Sequence, residues 1–391
     1  MIPGGTSTGS KRAEALWGTA DSGLPTEYAS AEGCRITLAD GRALVDCTSA
    51  LGSVALGYAH PAVTARVVEA VRAGNVAGLA HRGEGALAER LCHVVPCAEA
   101  VRFLKSGAEG MAAAVRIART LTGRDHVIGC GYFGWLDWWT EARGVPPGVR
   151  ADFTGVPFDD LAALEHAVTH AGPTLAAIVL EPVVERAASS QWLAGARALA
   201  TRTGAVLIFD EIKTGIRTHV GGWQAVSGVT PDLAVFGKAL ANGFPLSAVV
   251  GRRSVMEAVQ RTWVSSTLAG ETSALAAAHA VLHVAGERDI AAELDAIGHL
   301  QMQAARDAIS AAHLAGAEVA GLPAMWFVRF SHGAAERRWL AAACAGGALV
   351  KRGAYNFPML AHDAAAQATL YDALHAAAQA AASSGAGERT A

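Results

Sequence analysis

Residues 205–251 read AVLIFDEIKTGIRTHVGGWQAVSGVTPDLAVFGKALANGFPLSAVVG, and this stretch decides the fold. It contains three short runs that are apolar throughout: 205–209, 233–236 and 247–251. Runs without polar alternation are typical of strands buried on both faces, which occur in mostly parallel sheets covered by helices. A polar residue follows each of the first two runs: Asp210 comes directly after 205–209, and Lys238 comes after 233–236 with Gly237 between them.

The same pattern extends towards the N-terminus. Three further apolar runs occupy 101–104, 126–130 and 175–180, with helical patterns between them. Together the six runs predict an α/β fold whose large domain holds a mostly parallel sheet.

Both ends of the chain differ from this middle part. Residues before 52 contain a hairpin pattern with its turn at Asp40 and Gly41, and residues after 286 combine a long helix, two strand-like pieces and a final helix. We therefore expect a large domain over 52–286 and a smaller α+β domain built from 1–51 and 287–381. The polar tail 382–391 is expected to be disordered.

Composition narrows the class of protein. The chain has 391 residues, 52% of them hydrophobic, and a formal net charge of −3. This balance does not favour a nucleic-acid partner or a membrane surface, and no apolar run reaches the length of a membrane span. Six irregularly spaced cysteines without a Cys-x-x-Cys pair indicate a reducing compartment, so we expect a cytoplasmic protein.

Polar residues collect where the apolar runs end. They are the Lys105–Glu109 turn, Tyr132, Glu181, Asp210 and Lys238. Because ligands bind at the carboxyl ends of parallel strands, this pattern predicts an active site at one edge of the sheet.

The types of these residues fit one cofactor, pyridoxal 5'-phosphate. Ser106 and Gly107 precede a helix whose N-terminal amides suit a phosphate. Asp210 can keep a pyridine nitrogen protonated, and Lys238 can form a Schiff base with an aldehyde. Tyr132 and Ile212 can cover the two faces of a ring, if Ile212 continues an extended strand from Asp210 and points the same way.

The chain has only five lysines, so Lys238 can be chosen by elimination. Lys11 lies in an irregular N-terminal segment, and Lys351 lies in the small domain. Alternation along an extended chain predicts that Lys213 points away from Asp210 and that Lys105 faces solvent or a subunit interface.

The sequence resembles the class III pyridoxal-phosphate aminotransferases, which have fold type I, and it is nearest to their glutamate 1-semialdehyde aminomutase branch. The resemblance rests on IPGGTSTGSK, SGAEG, GYFGW, EPV, DEIKTGIR, FGKALANG, STLAGE and NFPMLAHD, in that order. It implies a Schiff base on Lys238 and a pyridinium partner in Asp210. It further implies stacking by Tyr132 and Ile212, and it assigns the phosphate cradle to Ser106, Gly107 and Ala108.

The resemblance also implies a homodimer with shared active sites. Thr267 would reach the phosphate bound by the neighbouring subunit, although Ser265 and Ser266 beside it could serve equally. Glu181 would lie near the hydroxyl side of the ring. Each residue also has a structural alternative, such as a helix cap for Ser106 or a surface ion pair for Glu181.

The residues expected near the substrate differ from those of the aminomutase branch. Lys11 stands where the branch has an arginine, Leu51 where it has an aromatic residue, Phe133 where it has a histidine, and Ala354 where it has a glutamate. The loop between Tyr132 and Phe158 is short, and Trp135, Trp138, Trp139 and Tyr355 predict an aromatic entrance, unless these rings serve only to pack the loop.

These departures favour an aminotransferase that acts on a small amine or amino acid with a separate carbonyl acceptor. An aminomutase, a racemase or an epimerase is the alternative, and a non-catalytic dimer of the same fold is disfavoured by the intact Lys238 and Asp210.

Three other motifs carry no function in this interpretation. Gly129, Gly131 and Gly134 form G-x-G-x-x-G, but an aromatic segment follows where a dinucleotide fold needs a closely packed helix. The G-x-S-x-G at 5–9 has no preceding strand. Histidine pairs at 166/170 and 279/283 lack a third ligand, so no metal site is expected.

Overall fold

The structure is a computed structural model that describes residues 2–383. Its first half contains the following elements: α1 (Ala13–Trp17), β1 (Ser30–Glu32), β2 (Arg35–Thr37), β3 (Ala43–Asp46), α2 (Ser49–Gly52), α3 (Pro61–Ala73), α4 (Arg82–Val94), β4 (Ala100–Leu104), α5 (Gly107–Thr122), β5 (His126–Cys130), β6 (Phe153–Gly155), α6 (Leu161–Ala171), β7 (Leu175–Leu180) and α7 (Ser190–Thr203).

The second half continues with β8 (Val206–Asp210), α8 (Trp223–Ser227), β9 (Leu233–Phe236), β10 (Ser247–Gly251), α9 (Arg253–Met256), α10 (Thr272–Glu287), α11 (Ile290–Ala311), β11 (Ala317–Leu322), β12 (Met325–Phe330), α12 (Gly333–Ala345), β13 (Ala348–Leu349) and α13 (Ala364–Ala382). Within the described residues, no helix is both long enough and apolar enough to cross a membrane.

The chain divides into two compact units. One comprises the residues up to Pro61 and those from Ala291 onward, and the other comprises Ala62–Ile290. The expected tail at 382–391 lies mostly outside the described residues. Ala382 ends α13 and Ser383 is its C-cap.

The central unit is built on one seven-stranded sheet in the order β4-β10-β9-β8-β7-β5-β6. Its strands are parallel except β10, which runs antiparallel to both β4 and β9. Every residue of β7 and β8 is buried, as expected for strands covered on both faces. The predicted mostly parallel α/β sheet is confirmed.

The sequence pattern missed one strand of this sheet. β6 has only three residues and pairs with β5 alone at the sheet edge. A strand that short offers too little periodicity to be recognised.

The other unit contains two small sheets. β1, β2, β3 and β13 form one of them, in that order, and β11 with β12 forms an antiparallel pair. The predicted hairpin is present, with Arg35 opposite Val45 and Gly41 in the turn at φ 87°. A core that includes Trp17, Trp326 and Trp339 fills this unit.

Candidate active site

The sheet brings the predicted polar residues to one edge. β5, β7, β8 and β9 are parallel neighbours, so Tyr132, Glu181, Asp210 and Lys238 all follow carboxyl ends at the same side. β10 runs antiparallel to both β4 and β9, which places the end of β4 at this edge too. The Ser247 hydroxyl at the start of β10 donates to the Ser106 carbonyl over 2.7 Å.

The turn after β4 starts a helix with free amides. Ser106 is the N-cap of α5, and its side chain accepts from the Glu109 amide while the Glu109 carboxylate accepts from the Ser106 amide, a capping box. Among the described residues, none accepts a hydrogen bond from the amide of Gly107 or Ala108. The helix end therefore keeps donors and a positive dipole for an anion.

Two glycines let other chain segments approach this turn. A Cβ on Gly107 would lie 2.5 Å from Ile212 Cδ1, and one on Gly134 would lie 2.3 Å from Ala108 Cβ. Gly134 also has φ 88°, a conformation that other residues rarely adopt. Ile212 and the loop after Tyr132 thus both pack against the helix start.

Asp210 ends β8 as a buried carboxyl. One of its oxygens accepts from the Ile212 amide over 3.0 Å. Burial, and then the charge of Glu181, raise the pKa of Asp210 above its ordinary value, while Lys238 and Lys213 oppose that shift. A cationic ring nitrogen would restore the ionised form, so this carboxyl fits the pyridine of pyridoxal phosphate.

Lys238 begins the turn after β9 with φ 46°, a left-handed conformation that is strained for a lysine. Burial and then the charge of Lys213 lower the pKa of Lys238, with Asp210 and Glu181 acting in the opposite direction and Arg217 in the same direction. Lys238 is therefore within electrostatic reach of four other ionisable side chains: Asp210, Glu181, Lys213 and Arg217.

The prediction for Lys213 is wrong. Its Nζ lies 3.0 Å from Glu181 Oε1, among the site residues and not on the opposite face. Alternation failed because β8 ends at Asp210 and residues 212–214 form a turn instead of an extended strand. Ile212 likewise sits beside Gly107 and Gly237 through this turn, not through strand alternation.

Lys105 does not face open solvent, and its position at a subunit interface stays a prediction. Its side chain is mostly buried, and its Nζ pairs with Glu271 over 2.7 Å and donates to the Pro245 carbonyl. Lys105 is therefore paired with Glu271 and not with the charged residues that act on Lys238. Glu271 in turn caps α10 by accepting from the Ser273 and Ala274 amides.

Tyr132 and Glu181 are joined by a hydrogen bond. The Tyr132 amide donates to Glu181 Oε2 over 2.9 Å, while the Tyr132 ring is 64% exposed and meets Trp139 edge-on. An exposed ring at a strand end is free to cover a bound ring.

The aromatic loop separates into core and surface residues. Phe133 is fully buried in the core of the central unit and stacks with Trp138, while Trp138, Trp139 and Phe153 are partly buried and pack against that core. Phe133 is thus a packing residue in this structure. Trp135 is 74% exposed. No helix begins between Gly131 and Pro146, so the glycines at 129–134 do not open a dinucleotide-type helix.

The remaining predicted residues belong to the unit formed by the chain ends, except Thr267. Lys11 and Leu51 line one cavity of about 120 Å³ in the unit formed by the chain ends, where Asp46 and Tyr58 contribute polar atoms to a mainly apolar wall. In the same unit Tyr355 packs between Phe327 and Phe357. Thr267 is exposed and lines a separate cavity of about 490 Å³ in the central unit.

Sequence reasoning gave no role to Lys213 or Arg217. Arg217 is fully buried, which is rare for arginine. Both belong to the DEIKTGIR segment, and the signal that could have found them is its density of charged residues directly after a buried strand.

Among described residues, no group of three or more His, Cys, Asp or Glu is placed to hold a metal ion.

Comparison with known proteins identifies the family of this chain. The family model described as aminotransferase class-III matches residues 19–133 and 151–377. Residues 134–150, the loop after Tyr132 and Phe133, fall outside the match.

Curated relatives include glutamate-1-semialdehyde 2,1-aminomutases. The one from Rhodopirellula baltica is 34% identical over 73% of this chain and 69% of its own, and the one from Desulforapulum autotrophicum is 32% identical over 84% and 81%.

Solved structures share the fold. The pyridoxal-phosphate internal aldimine form of the Sphingopyxis sp. MTA144 FumI protein has a TM-score of 0.92 at 25% identity, covering 97% of this chain and 93% of that chain. An omega-transaminase from Sphaerobacter thermophilus has a TM-score of 0.83 at 24% identity, covering 94% and 97%. The fold-type-I prediction is confirmed, and the chain belongs to the class III aminotransferase family.

Proposed function

We propose that this chain is a pyridoxal-phosphate enzyme that transfers an amino group from a small amine or amino acid to a separate carbonyl acceptor. The observation that carries the proposal is the cluster of Lys238, Asp210 and Glu181 at the carboxyl edge of the sheet, next to a helix N-terminus with unused amides. Membership of the class III family supports the cofactor.

The cofactor supplies an electrophilic carbon and an electron-withdrawing ring when it is bound. Lys238 would attach it and later carry a proton at the substrate carbon. Asp210 would keep the ring nitrogen protonated through a charge-assisted hydrogen bond. Gly107 and Ala108 would donate their amides to the phosphate, and Tyr132 and Ile212 would cover the ring faces.

An amino-group exchange with two substrates is favoured over an isomerisation by the loop after Tyr132. Retaining an intermediate in a mutase requires a lid, and residues 134–150 depart from the family pattern. Trp138 and Trp139 in that loop are partly buried and pack against the core, which leaves fewer residues of the loop available to act as a lid. By resemblance, Lys11 stands where the aminomutase branch has an arginine, and a lysine gives a point charge without a bidentate fork.

The aminomutase reaction is the second candidate, because the curated relatives carry that name. The two reactions differ in stoichiometry. Purified holoenzyme is incubated with single amines or amino acids and no acceptor, with a Lys238→Ala protein as the control.

We expect one carbonyl product per site and then no further reaction, with the cofactor left in its aminated form. Many turnovers of one compound into its isomer or epimer, without acceptor, would replace the aminotransferase by a mutase, racemase or epimerase.

We also propose a homodimer in which Thr267 completes the phosphate site of the other subunit. Val76 and Leu79 are 54% and 88% exposed in the cavity that Thr267 lines, and Trp263 and Leu268 nearby in sequence are exposed as well. Clustered exposed apolar side chains mark an interaction surface. Sedimentation over a dilution series tests this, since loss of the dimer should release cofactor.

A further inference from the structure

The proposed function gives no role to Lys213, which forms a buried ion pair with Glu181 at the site. Lys213 Nζ lies 3.0 Å from Glu181 Oε1, and the two residues are 8% and 9% exposed. The other oxygen of Glu181 accepts the amide hydrogen of Tyr132 over 2.9 Å. A single carboxylate therefore links the turn after β8 to the turn after β5.

A buried ion pair of this kind contributes little net stability to a fold. Desolvating two charges costs about as much as their attraction returns, whereas removal of one partner leaves a buried charge without compensation. An apolar or neutral pair would fill the same space at lower cost. The location of the pair therefore says more about its role than its interaction energy does.

The pair sits beside the amine that is expected to bind the cofactor. Four ionisable side chains act on Lys238: Asp210 and Glu181 favour its charged form, while Lys213 and Arg217 disfavour it. Loss of the charge of Lys213 would remove one opposing cation and would also leave Glu181 unbalanced. Both changes favour the ammonium form, which cannot act as a nucleophile.

We propose that Lys213 is a positioning residue that holds Glu181 against the Tyr132 turn and balances its charge beside Lys238, which keeps the Lys238 amine available as a nucleophile. This inference rests on the proposed role of Lys238. Lys213 itself stays paired with Glu181 and does not take over covalent attachment.

The test measures the protonation of Lys238 directly, in the full-length protein freed of cofactor. Trace acetic anhydride labels lysines at a series of pH values, and mass spectrometry follows the peptide that contains Lys238. The pH midpoint of labelling reports the pKa of that amine without any catalytic assay.

We expect Lys213→Met to raise this midpoint by about one pH unit or more, the size of shift that a neighbouring charge produces. Glu181→Gln should lower it, and the Lys213→Met/Glu181→Gln double variant should return it towards the wild-type value. Lys213→Arg keeps the charge and should leave the midpoint in place.

Lys105→Met is the matched control, because it removes a second mostly buried lysine of the same sheet edge whose partner is Glu271. It should not move the Lys238 midpoint. Circular dichroism checks that each variant is folded, and the double variant keeps the test decisive if Lys213→Met alone does not fold.

An unchanged or lowered midpoint in folded Lys213→Met would overturn the inference. So would shifts of the same sign in Lys213→Met and Glu181→Gln, which would indicate a structural disturbance. Failure of the proposed function is a separate result, because that function is tested by the site of covalent attachment and by the reaction stoichiometry, whereas the labelling midpoint is measured without cofactor.

Discussion

Replacing Asp210 by asparagine should affect cofactor binding and the stability of the cofactor-free protein in opposite directions. The substitution keeps the size of the side chain and removes its charge. Without cofactor, burial and Glu181 disfavour the ionised carboxyl, so its folded pKa lies above its unfolded pKa. Such a group lowers stability as pH rises from the unfolded pKa to the folded one. At pH values above the folded pKa, Asp210→Asn should make the cofactor-free protein at least as stable as the wild type.

The loaded enzyme should respond in the opposite direction. A hydrogen bond to a charged group contributes about 1.5–3 kcal/mol, so the variant should bind cofactor roughly 10- to 100-fold more weakly. Turnover should fall by about 10²–10³-fold, the usual loss when one preorganised electrostatic stabiliser is removed. Fluorescence titration with cofactor and steady-state kinetics at saturating cofactor measure the two effects.

Asp232→Asn is the matched control for stability. Asp232 is also a buried aspartate of this sheet, but it pairs with Arg197 over 2.8 Å and accepts from the Leu207 amide over 2.8 Å. Its loss should lower the melting temperature. If Asp210→Asn retains near wild-type turnover, or if it destabilises the cofactor-free protein as Asp232→Asn does, the assignment of Asp210 is refuted.

Three further predictions concern the surroundings of the site. Gly134→Ala should weaken cofactor binding, because its Cβ would lie 2.3 Å from Ala108 Cβ and push the helix start aside; unaltered affinity by titration would contradict this. Burial disfavours the charge of Glu271, but hydrogen bonds from Lys105 and Ser273 outweigh it and lower its pKa. The stability from this carboxylate should therefore be present above its unfolded pKa and be lost as pH falls through the folded one, so the wild-type advantage over Glu271→Gln in melting temperature should shrink in acid. Thr267→Ala should lower cofactor affinity while leaving the dimer intact by sedimentation; full affinity would argue against the shared phosphate site.

The sequence predicted the sheet well, because burial on both faces leaves an unmistakable signal. The apolar runs at 126–130, 175–180, 233–236 and 247–251 coincide with β5, β7, β9 and β10. β11 was missed, because AEVAGL mixes polar and apolar residues and Gly321 interrupts it with φ 99°. Its partner β12 is one of the two strand-like pieces expected after residue 286, MWFVRF at 325–330, and its first four residues are buried.

Site residues could be predicted only where they come at the end of a buried strand. Asp210 and Lys238 follow buried strands, so their common edge could be deduced from strand order alone. Lys213 could not be placed, because its position depends on a turn held by the hydrogen bond between the Ile212 amide and Asp210. Phe133 follows Tyr132 directly, yet the chain turns it into the core, where Trp138 stacks on it.

The most direct test of the account is the location of the covalent bond to the cofactor. The holoenzyme is reduced with borohydride, digested and mapped by mass spectrometry. The account predicts a pyridoxyl mass on Lys238 and its loss in Lys238→Ala. A pyridoxyl mass on Lys213 or Lys105 in the wild-type protein would contradict it.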